Sequence, residues 1–244
     1  RVLFRSTGRF DNTVQTTGGG SVTVTNSGGL TIYSAADMTL DGLFNQDGSG
    51  AVSTAGDITT SGDNVSFAGP LTLTGNVALA TTSGSASGAN ISIGSSLDGA
   101  STLTVDGGTG GNVLFDNVVG TITQISGISI TNANLVTFSN TLDASGAITQ
   151  AAGTGTTTFS GAASAGSYDV TATTGIVTSS TLTATGNITL ASDEFDFGGG
   201  ANSIIGTGTL TLKQATAGAT VGIGSSAGQT IDLTDADITA IKDG

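Results

Sequence analysis

Apolar and polar residues alternate in threes along this chain, usually with Thr or Ser at the centre. Val22-Thr23-Val24, Leu30-Thr31-Ile32, Met38-Thr39-Leu40, Leu71-Thr72-Leu73, Ile91-Ser92-Ile93 and Leu103-Thr104-Val105 are examples. Successive side chains of an extended strand point to opposite faces, so each triplet turns its outer two residues one way and its centre the other. Gly, Ser, Asn and Asp separate the triplets, which predicts short strands joined by tight turns. β-Branched residues fill the triplets and no stretch carries a helical apolar stripe, so the expected class is all-β.

The triplets recur with a longer period. In the second half, one series starts at Ile128, Ile148, Tyr168, Ile188, Leu210 and Ile231, in steps of 20, 20, 20, 22 and 21 residues. A second series runs through Ile122, Leu142, Ala162, Leu182 and Ile204, and a third through Val136, Thr157, Ile176, Phe195, Val221 and Ile238. In the first half Met38, Ile58, Val77, Leu103 and Ile128 keep the rhythm less strictly, and the longer steps read as corner insertions, as at residues 81–90. Hairpins need no constant return and would not give three positions per return. A coil does, with each strand pairing in parallel with its equivalents above and below. The expectation is therefore a right-handed parallel β-helix, a β-solenoid of about 20 residues and three strands per coil, its hand following from the rule for parallel crossovers. Residues 1–20 read as an N-terminal edge or cap segment and 21–244 as the solenoid. About 12 coils at roughly 4.8 Å each would make a rod near ~60 Å long. Phe115, Phe138 and Phe159 are spaced to stack inside it.

Composition sharpens this picture. The 40 Gly and 44 Thr suit tight corners and exposed strand positions, while the 36% apolar content in regular placement argues against disorder. The net charge of −13 disfavours nucleic acid and anionic lipid as partners. The five bases, Arg1, Arg5, Arg9, Lys213 and Lys242, lie toward the two ends. Absence of Cys excludes disulfides and thiolate metal sites, and no apolar run of 18 residues predicts a membrane span. A start at Arg1 without Met or signal peptide is expected of a mature or truncated piece of a longer protein.

Several segments resemble the repeats of filamentous haemagglutinin-like adhesins and of the large bacterial β-strand-repeat surface proteins: residues 56–79 (GDITTSGDNVSFAGPLTLTGNVAL), 92–120 and 181–200 (TLTATGNITLASDEFDFGGG). The resemblance extends over most of residues 20–240 and rests on pattern and composition. It implies export to the bacterial surface as a rod that extends binding sites from the cell or builds matrix, and the lack of Cys is in keeping with crossing an outer membrane unfolded. The chain shows no recognisable secretion domain, translocator barrel or RGD triplet, so the resemblance carries over no particular cell-surface or matrix ligand.

Candidate chemistry is sparse. Polysaccharide lyases on β-helices use a basic residue to take a proton, and the mid-chain has no Arg, Lys or His. A hydrolase needs a carboxylate pair, for which Asp193, Glu194 and Asp196 form the only dense mid-chain cluster, without Trp for a sugar platform. Asp232, Asp235 and Asp237 are candidate calcium ligands, Asp235 and Asp237 sharing one face if the segment is a strand. The Gly-rich stretch 106–112 has the character of calcium-coil repeats but occurs once. Thr-x-Thr units at 121–123, 181–183 and 209–211 have the form of ice-matching arrays but look scattered. Gly18–Gly20 and Gly198–Gly200 precede neither Lys-Ser/Thr nor a helix, so they read as corners. Neither end shows an amphipathic capping helix. Three Arg among the first ten residues and Asp232, Asp235, Asp237 and Asp243 in the last fourteen would favour head-to-tail polymerisation. The reading is a non-enzymatic, secreted rod segment of a surface adhesin. The alternatives are a fibre or matrix subunit built by end-to-end stacking, and a carbohydrate-active β-helix enzyme.

Overall fold

A computed structural model describes residues 2–4, 7–224 and 229–242, with the side chains of 2–4 outside the description. The chain winds into a parallel β-solenoid with three faces. The first face stacks ten strands, from Val2–Phe4 and Val22–Asn26 to Gly175–Thr178 and Phe195–Phe197. The third also stacks ten, from Val14–Gln15 to Leu210–Lys213. The second runs through five strands from Gly8–Phe10 to Leu97–Asp98. It crosses the next coil by single bridges at Val119, then continues through four strands from Leu142–Asp143 to Ile204–Gly206.

Ten rungs are present, not twelve, so the stack is about 48 Å long at ~4.8 Å per rung. Residues 2–15 are the first rung of the solenoid, each of their strands pairing with the rung that follows. The expected period holds through the middle. Ile128, Ile148, Tyr168, Ile188 and Leu210 are partners on the third face. Val136, Thr157, Ile176 and Phe195 are partners on the first. Leu142 pairs with Ala163 rather than the expected Ala162, and four further expected members fall elsewhere. Ile122 stands 86% exposed in the corner after Val119, Val221 and Ile231 pair with each other beyond the last rung, and Ile238 lies in a helix. Ile58 pairs with Leu79 rather than Val77.

The inward positions form one apolar column bundle, with nearly every Val, Ile, Leu and Phe of the strands buried. Phe115, Phe138 and Phe159 stack as expected, at 4.6 and 5.1 Å between centroids with interplanar angles of 1° and 4°. Tyr168 meets Phe159 edge-on at 5.8 Å. Its hydroxyl is buried without a hydrogen-bond partner among the described residues, and burial together with Asp143 holds it above the usual phenol range.

Polar residues set the corners by bonding one rung up. Asn64 accepts from the Asn90 amide at 3.0 Å, Asn90 from Asn112 at 2.9 Å, and Asn112 from Leu135 at 3.2 Å. Inside the corner between the first and second faces, Gln46 donates to Asn26 at 2.6 Å and accepts from the Ala68 and Gly69 amides at 2.9 Å. These bonds give corner amides a partner that the strand ladders do not supply. Gly120 turns at φ +75°, and a Cβ there would meet the Asp143 carbonyl of the next coil, so both conformation and space require Gly. The insertion at 81–90 is a corner, and the loop at 107–112 stacks on it through Gly110 to Ser87 at 2.8 Å.

Three single-residue variants test this packing. Phe138→Ala removes the middle ring of the stack and should cost about 3–5 kcal/mol, while Thr137→Ala on the outside of the same strand should stay within about 0.5 kcal/mol. Denaturant midpoints report both, and equal effects would contradict an inward-facing Phe138. Tyr168→Phe removes an unpaired buried hydroxyl and should be neutral or stabilising by up to about 1 kcal/mol. A clear loss of stability on thermal unfolding would mean the hydroxyl has a partner.

Candidate functional site

Register places the outward residues in columns that spacing alone hides. Thr104, Ser129, Thr149, Asp169, Thr189 and Thr211 stand on six consecutive coils of the third face. The corner insertion between Leu103 and Ile128 conceals this regularity in the sequence. Asp169 interrupts the hydroxyl column with a charge. Thr121 and Thr123 flank the exposed Ile122 in a corner loop and belong to no strand.

The greatest concentration of polar chemistry lies at the C-terminal end. After Leu210–Lys213 the chain leaves the coil. Strands Val221–Ile223 and Ile231–Leu233 pair in parallel, and the helix Asp235–Ala240 follows. Leu233 and Ala219 pack on the end of the core. The chain then returns to the second face, where Ile241 bridges Ile204 and the Lys242 amide donates to the Ile204 carbonyl at 3.1 Å. A helix therefore caps this end, where a strand and no cap were expected. Thr234-x-x-Asp237 explains it. The Thr234 hydroxyl accepts from the Asp237 amide, the Asp237 carboxylate accepts from the Thr234 amide, and Asp235 and Asp237 lie in the first turn, where the helix dipole favours acids.

Asp237 reaches further. Its second oxygen accepts from the Phe197 amide at 2.8 Å, across 40 residues, and so ties the helix to the last strand of the first face. The side chain is buried, with both oxygens engaged. Asp232 lies in the strand Ile231–Leu233, while Asp235 and Asp237 lie in the helix, so the three calcium candidates do not share a strand face. Among the described residues, no three His, Cys, Asp or Glu side chains gather as a metal site.

The cap brings the two acidic clusters of the sequence into one neighbourhood. Burial, then Asp232, Asp237 and Asp196, push the Glu194 carboxyl above its ordinary range. Asp193 points elsewhere. Burial opposes its charge, but hydrogen bonds from Thr216 and from the Ala215 amide outweigh it and hold the carboxyl low. Between the cap and the first face lies an open depression of about 440 Å³, lined among others by Thr156, Thr174, Glu194, Asp196 and Asp237. Asp193 does not line it, and the rings of Phe195 and Phe197 beside it are buried. The capping-box pattern was the one sequence signal that could have revealed this arrangement. No helix among the described residues is long and apolar enough to cross a membrane. Comparisons of the chain with known protein families, with curated proteins and with solved structures find no match.

Two expectations follow for the cap. Asp237→Ala removes the acceptors of both the Thr234 and the Phe197 amides and should weaken the cap by about 1–3 kcal/mol, seen as faster amide exchange at Phe197 and Thr234 with Ile148 unchanged. Unchanged exchange at Phe197 would contradict the tie. A raised carboxyl binds its proton more tightly when folded, so the contribution of Glu194 is full below its ordinary pKa and is lost as pH rises through the raised value. Glu194→Gln should therefore slow cap exchange at pH ~7 and lose that advantage below about pH 4, under the ordinary Glu value of ~4.3. A Gln variant that exchanges as fast as the parent at neutral pH would contradict the shift.

Proposed function

We propose that this chain is a non-enzymatic, extracellular β-solenoid that serves as a rod segment of a bacterial surface adhesin of the filamentous haemagglutinin-like type. One observation carries the reading. Two faces each run through ten parallel strands, with one register shift between Val105 and Asp106 on the third face, over a continuous apolar interior and beneath mainly small polar outward residues. Such an object holds its first and tenth rungs about 43 Å apart, nine spacings of ~4.8 Å, and spends little of its surface on anything else.

Two of the acids at this end have structural employment. Asp237 anchors the cap, and Asp193 holds the turn at Ala215 and Thr216. The bases a lyase would need lie near the chain ends in sequence. The fibre reading ranks second, because the cap covers two of the three sheet edges at the C-terminal end.

Antibody against the folded chain, applied to intact cells that make it, tests the proposal. Surface labelling that external protease abolishes is the expected result. Antigen found only inside the cells would overturn the reading, and so would release of unsaturated uronides or new reducing ends from pectic or other anionic polysaccharides incubated with the purified chain.

A further inference from the structure

We draw no further inference here: the strongest candidate, the open depression between the C-terminal cap and the first face with Glu194 and Asp196 in its wall, is an acidic cluster, and nothing in the structure shows what ligand it would hold.

Discussion

Parallel pairing in register, about every 21 residues, is the constraint on which everything else in this molecule rests. Val136, Thr157 and Ile176 show it, each stacked on the last, with Phe138 on Phe115 and Phe159 on Phe138 two residues along. A slip of one residue would turn each strand's apolar pair outward and its Thr or Ser inward. The stacked rings and the buried aliphatic columns therefore do two jobs, supplying burial energy and fixing register. With no Cys and a single ion pair among the described residues, Arg9 to Asp11, the fold depends on this repetition rather than on staples.

The corners have to be as regular as the strands. A coil that turns three times in about 21 residues leaves many backbone groups without a ladder partner. The Asn64, Asn90 and Asn112 side chains, and Gln46 with Asn26, supply those partners from one coil to the next. Where the Asn column reaches the next coil, Leu135 takes its place and stands 40% exposed. The longer insertions fall at corners, at 81–90 and 107–112, and those loops stack on each other, while Thr131 is a single extra residue within the strand Gly127–Asn132. The outward surface then follows without further design. Centres of triplets become columns, and the columns of the third face are mostly hydroxyl-bearing.

Much of this could be read from the sequence. Alternation gave the strands, the 20-residue return gave the coil, and the Phe spacing gave the stack. What escaped was information that the period does not carry. Val221, Ile231 and Ile238 continue the numerical series but leave the coil, Val221 and Ile231 pairing with each other and Ile238 entering the helix that Thr234 and Asp237 start. Ile122 fits the spacing yet lies in a corner, since Val119 had already filled the bridge position on its face. Glu194 and Asp237 are more than 40 residues apart in sequence, so only the return of the chain over the last rung could bring them together. Of the candidate site residues, Asp237 matters most, as the anchor of the cap. Asp232 and Asp235 flank it on two different elements.

The rod itself is best tested by distance. The chain has no Cys, so Thr104→Cys and Thr211→Cys can be spin-labelled without background. The two positions are 107 residues apart in sequence (211 − 104) but five rungs apart in one outward column, a separation of roughly 24 Å. A narrow distribution centred near that distance, widened only by the label tethers, is the predicted result. A broad distribution, or one centred far from it, would contradict the in-register solenoid on which the functional proposals stand.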